Sequence, residues 1–302
     1  MGATTRWKDT ELTELNDVLN RMISEIPDDS RASVYRKHFR NTKMADENKT
    51  ININSEVIEY NVIKYVYIQV SAQEDPAEDR EISKNGFIVV CKIKGTIYYI
   101  IDQNTAAKKL LRKMLGYTGR NEIEMADFGF TEDFFVWLVC RVYNFDNLIE
   151  NNISDDEKEL VLEEIKGIRG NTEDLQTRVV TSGESVMNVI STLAFMLESR
   201  RLNQVVLNLK YTGHENIRVK IQKNTIELDR PYLGEFDEPT NEELYGKIYL
   251  LLYFEILPLL EQEYRMNKVD DVWNQEAYID FLREVKDTVI EKIESKIATI
   301  SD

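Results

Sequence analysis

Two carboxylates and a lysine form the fullest set of groups for hydrolytic chemistry in this chain. Asp156 precedes the triplet Glu164-Ile165-Lys166. Two carboxylates can ligate Mg²⁺ through oxygen, and a neighbouring lysine can orient or activate the attacking water. That chemistry needs Glu164 and Lys166 on one face of a strand, and the run from Leu160 to Ile168 predicts a strand. The same triplet pattern recurs at Glu284-Val285-Lys286 and Glu294-Ser295-Lys296, on a surface helix by periodicity. In a chain that is 30% charged, a solvated strand edge is therefore the competing explanation.

The pattern at Asp156, Glu164 and Lys166 loosely resembles the D…ExK signature of restriction-endonuclease-like nucleases, over about a dozen residues. The resemblance implies Mg²⁺-dependent cleavage of nucleic acid. Without it, no cofactor and no metal site are expected. Arg31 and His38 match the spacing of a helical ribonuclease pattern, in which both side chains meet at a helix terminus. Asp127-Phe128-Gly129 repeats the letters of a kinase magnesium motif without the loops that accompany it. His38 and His214 are the sole histidines, and the sequence has no CxxC, HExxH, P-loop or GxGxxG. Zinc chemistry and nucleotide binding by a standard loop are thereby disfavoured.

Charge gives the second lead. The chain carries 38 basic and 54 acidic residues, a net charge of −16, yet Arg31 to Lys43 and Asn104 to Arg120 contain no acid. In the latter, Lys108, Lys109, Arg112 and Lys113 share one broad helical face, with Arg120 beyond it. Leu110, Leu111 and Leu115 mark the opposite face. The expectation is a helix anchored on a sheet, with a cationic outer surface for a phosphate backbone or an acidic protein. A smaller stripe, Arg218, Lys220 and Gln222, alternates with Ile217, Val219 and Ile221 and predicts the wet side of a sheet, which Lys210 joins. Residues 232–302 hold 17 acids against 7 bases.

The elements that would position these groups follow from periodicity. Helices are expected over Asp9 to Ile26, from Ser30 through Phe39, from about Thr105 to Leu115 before Gly116, and from Thr131. A buried helix is expected from Ser182 through Leu197. Two long helices are expected at the C-terminal end, about Asn241–Met266 and Gln275–Ile300. The last carries an apolar stripe at Tyr278, Phe281, Leu282, Val285, Val289, Ile293 and Ile297, which needs a cover from the preceding helix or from another molecule. Strands are expected in Ile51 to Val70, in a hairpin of Phe87 to Ile93 and Thr96 to Ile101 around Lys94-Gly95, and in a meander over residues 204–229. Ser71 to Lys84 reads as an acidic connector.

These readings give an α+β fold with mixed or antiparallel sheets and two long C-terminal helices. Two regions are expected, 1–150 and 151–302, meeting near residues 146–157. The first carries 20 basic and 24 acidic residues, the second 18 and 30. Cys91 and Cys140 lie in apolar runs and are expected to be buried thiols of a cytoplasmic protein. The polar N-terminal stretch predicts no secretory signal. Ile248 to Leu260 is too short to cross a bilayer and contains Glu255, which needs water or a basic partner. The functional expectation is a non-catalytic binding or regulatory subunit of a bacterial cytosolic system. It would act through the basic helix and the acidic C-terminal surface, with a protein partner or self-association and without a membrane. In general style the chain resembles accessory proteins of phage-defence operons, with no motif to carry the resemblance. The alternatives are the nuclease using Asp156, Glu164 and Lys166, and sequence-independent nucleic-acid binding.

Overall fold

A computed structural model describes residues 2–24, 35–45, 47–71, 80–144, 146–151, 158–171, 178–182 and 201–301. It shows an α+β protein with two antiparallel sheets. The chain forms two compact units, Met1–Asp127 with Phe236–Phe254, and Phe128–Glu235 with Glu255–Asp302. They are built from interleaved stretches of chain, and the sequence places the meeting of two regions near residues 146–157. Of that stretch, 152–157 lie outside the described residues.

In the first unit, β1 (Thr5–Asp9), β2 (Tyr35–Met44), β3 (Lys49–Ile53), β4 (Glu56–Ser71), β5 (Arg80–Ile93), β6 (Thr96–Ile101) and β7 (Ile123–Met125) form the sheet. The order is β2-β4-β5-β6-β1-β7, with β3 also on β4. The hairpin of β5 and β6 turns at Lys94-Gly95, where φ is 48° and 78°, the pair of positive angles that a two-residue turn needs. Helices α1 (Leu15–Ile23) and α2 (Ala107–Met114) join one core with Trp7, Ile63, Tyr65, Ile88, Val90 and Tyr99. Alternate residues Val62 and Val89 meet helix α4 (Asn241–Leu251) at Gly246, where an added Cβ would lie 2.9 Å from Val62. The central strands are thus apolar in both phases, because both phases are buried.

Several expectations are corrected here. The helix expected from Asp9 starts at Leu15, and Thr5–Asp9 is a strand paired with β6 and β7. The segment read as a helix through Phe39 is strand β2 from Tyr35, paired along β4. Arg80 to Lys84, read as connector, already belongs to β5. In each case pairing with a distant strand overrides the local pattern.

In the second unit, β8 (Leu148–Asn151), β9 (Lys158–Asn171), β10 (Arg178–Ser182), β11 (Arg201–Tyr211), β12 (His214–Gln222) and β13 (Ile226–Leu233) form the other sheet. Its order is β10-β9-β11-β12-β13, with β8 also on β9. The expected meander over 204–229 is its β11-β12-β13 part. Helix α3 (Glu132–Tyr143) packs on β9 and β11. It starts at Thr131, whose side chain accepts from the Phe134 backbone N–H. A π-helical turn (Leu252–Ile256) continues α4 into α5 (Leu257–Val269), and α6 (Gln275–Ser301) follows. Tyr278, Phe281 and Val285 of α6 are buried, and Tyr143 meets Phe281 edge-on at 5.6 Å. The helix expected over 182–197 falls almost wholly outside the described residues; Ser182 itself ends β10.

Cys91 and Cys140 are free thiols; Cys91 is buried, whereas Cys140 is only half-buried, which corrects its reading as a core residue. Among the described residues no helix is long and apolar enough to cross a membrane.

Candidate functional site

The basic helix forms as expected. Ala107, Leu110, Leu111 and Met114 are buried at helical spacing, which turns the cations away from the core. The four cations are not equivalent. Lys109 is exposed, whereas Lys108, Arg112 and Lys113 are half-buried. Arg112 Nε lies 3.4 Å from Glu122 Oε2. Backbone N–H groups of Glu122 and Gly119, with Arg112, hold the Glu122 carboxyl below the usual range. Glu124 takes a 2.9 Å ion pair from Lys8, and the Lys108 charge adds to the lowering of its pKa. Arg120 is exposed beyond the helix. Lys109 and Arg120 are thus the outward cations, and neither forms an ion pair with a described residue.

Of the nuclease pattern, Asp156 lies outside the described residues. Glu164 and Lys166 stand on β9, as the pattern requires, and their side chains form an ion pair of 2.5 Å. Among the described residues no group of three His, Cys, Asp or Glu could hold a metal ion. His38 lies on strand β2, so the helix terminus needed by the ribonuclease pattern is not there, and Arg31 lies outside the described residues. Phe128 of the kinase-like triplet stacks on Phe130 at 5.1 Å, and Phe130 stacks on Phe134 at 4.0 Å, as the aromatic approach to α3.

The basic stripe of the second sheet is matched strand by strand. Lys220 stands opposite Glu227 and pairs with it. Arg218 stands opposite Asp229, with Nε 3.3 Å from the carboxylate, and Lys210 reaches Glu163 at 2.7 Å.

A connected set of titratable groups surrounds Glu255, in the π-helical turn. Its carboxylate is buried. Oε1 accepts from Lys158 Nζ and from Tyr211 OH, each at 2.7 Å. Oε2 is buried with no hydrogen-bond partner among the described residues. His214 is buried beside it, its ring parallel to Tyr211 at 6.4 Å and its Nδ1 2.7 Å from Tyr232 OH. Burial pushes the His214 pKa down to about 4; the Glu255 charge opposes this and the Lys158 charge reinforces it. The imidazole is therefore neutral at neutral pH. The network's geometry ties Glu255 to the start of β9 and the end of β11. A lone acid within an apolar run is the sequence signal for Glu255, and of the two expectations, water or a basic partner, the second holds, with Lys158. His214 and Tyr211 carry no local signal, because the hairpin turn between β11 and β12 brings them together.

No protein-family model matches the chain, and comparison with curated proteins finds no significant similarity.

Proposed function

We propose that the chain is a non-catalytic binding or regulatory subunit of a bacterial cytosolic system. In this reading it receives an acidic protein partner on the cationic edge of α2, and the acid-rich helices after residue 232 present a second contact surface. One observation carries the reading: α2 buries its apolar side in its own core while Lys109 and Arg120 project without an acid among the described residues. Two outward cations suit a short acidic segment better than a nucleic-acid backbone, where specific contacts commonly number six to ten phosphates. The overall charge of −16 also repels a polyanion at long range.

Lys109→Glu/Arg120→Glu tests this, with an oligoglutamate peptide and a single-stranded oligonucleotide of equal charge as probes. The expected result is salt-sensitive peptide binding that falls at least tenfold in the double variant while thermal stability stays the same. Equal peptide binding by both proteins overturns the reading, and preferential oligonucleotide binding replaces it with nucleic-acid binding.

Metal-dependent cleavage at Asp156, Glu164 and Lys166 is the second reading, favoured by the strand placement of Glu164 and Lys166. It requires Mg²⁺-dependent loss of a nucleic-acid substrate that Glu164→Gln abolishes.

A further inference from the structure

Helix α6 changes character along its length. Its first half buries Tyr278, Phe281 and Val285, whereas Ile290, Ile293, Ile297 and Ile300 are 46%, 45%, 58% and 74% exposed. Their spacing is three, four, three, which places all four along one seam of a helix at heptad positions a, d, a, d. A seam of isoleucines in water is costly and marks a surface that associates. The stripe read from the sequence is thus two stripes, one spent inside the unit and one facing out.

Charges at the edges of the outer seam say what fits there. With Ile290 at position a, Glu294 falls at e and Lys296 at g. Between parallel helices the g residue of one faces the e residue of the following heptad of the other, so Lys296 is set opposite position 301 and Glu294 opposite Val289, and no like charges meet. Between antiparallel helices in the register that aligns all four isoleucines, Glu294 would face Glu294 and Lys296 would face Lys296. Glu291, Lys292, Glu294 and Lys296 also balance, so this stretch is neutral in a chain of net charge −16. It is a place where two copies can approach without local repulsion.

We propose that the distal half of α6 associates with the same segment of another copy of this chain, as a short parallel coiled coil. Isoleucine at both a and d favours a third strand over a simple pair. The seam shares no residue with the α2 edge, so the two proposals stand or fall independently.

The test is the solution mass of the full chain by light scattering, beside two variants. Wild type is expected at a multiple of the single-chain mass, and Ile293→Asp/Ile297→Asp at the single-chain mass with unchanged near-ultraviolet circular dichroism. Ile300→Asp, at the most exposed of the four positions, should shift the equilibrium the same way without disturbing the core. Orientation is read from Ile300→Cys under mild oxidation. Parallel strands bring the two new thiols together, whereas antiparallel strands leave them about ten residues apart along the axis, roughly 15 Å. Burial raises the pKa of the native thiols Cys91 and Cys140 and keeps them poor competitors. A wild-type chain of single mass, or an oligomer indifferent to both aspartate variants, overturns the proposal. An oligomer in which Ile300→Cys does not cross-link overturns the parallel arrangement.

Discussion

Helix α2 and strand β12 look alike as sequence, since each places basic residues against an apolar face, but the fold treats their charges differently. On β12, Lys220 and Arg218 stand across from Glu227 and Asp229 of the next strand. Directly opposite unlike charges on a sheet are worth roughly 0.2–1 kcal/mol, and they complete the architecture. On α2, the neighbouring acids Glu122 and Glu124 engage Arg112, Lys8 and the field of Lys108, while Lys109 and Arg120 remain outward. A sheet supplies each side chain with a neighbour at fixed register, whereas the outer face of a helix does so only where another element passes beside it. Charge removal should therefore register as lost stability in the second sheet and its surroundings, and as lost association on α2.

The largest expected effect lies where the second unit's charge is most enclosed. Lys158→Ala leaves the Glu255 carboxylate buried with Tyr211 as its remaining donor, and should cost about 4 kcal/mol in denaturant unfolding. Adding Glu255→Leu should recover much of that loss, because an apolar side chain then replaces an unpaired buried charge. A loss below about 1 kcal/mol in the single variant would show that this enclosed pair behaves like a surface one.

His214 sharpens the same contrast through pH. In the unfolded chain its imidazole takes up a proton near pH 6.5, whereas burial delays that uptake in the native state to about pH 4. Between those values the unfolded state binds more protons. This contribution to stability is therefore complete above pH 6.5 and lost as pH falls toward 4, by up to about 3 kcal/mol. Stability measured across pH 4–7 should fall more steeply in acid for wild type than for His214→Gln, and parallel curves would contradict the burial argument.

Much of the fold was legible where the determining contacts are local. The β5–β6 hairpin announced itself through Lys94-Gly95, α2 through Leu110, Leu111 and Leu115, and α3 through Thr131 with Glu132 and Asp133. Strands β1 and β2 were not legible. Thr5–Asp9 has a polar composition, and its strand conformation comes from Ile101 through Tyr98 on one side and from residues 123–125 on the other. Tyr35 to Met44 carries an acceptable helical pattern, which loses to a long ladder with β4. The site followed the same rule. The cations of α2 could be read from spacing, but the engagement of Arg112 by Glu122 depends on the chain returning after Gly119. Glu255 could be seen to need water or a base, while its pairing with Lys158 depends on where β9 begins.

The smallest expected effect separates the two basic stripes most directly. Lys220→Ala removes the partner of Glu227 from a half-buried cross-strand pair, and should lower stability by about 0.5 kcal/mol. Lys109→Ala removes an exposed charge whose helix is already anchored by four buried apolar residues, and alanine is the better helix former. Its stability should be equal to wild type or slightly higher. The two variants lose the same charge from apolar-backed segments of one acidic chain, so the removed net charge cancels in the comparison. Paired denaturation curves would read the difference as a displacement of midpoints at constant slope. Lys109→Ala destabilised as much as Lys220→Ala would mean that α2 holds its cations for architecture, and the docking role of its outer edge would lose its basis.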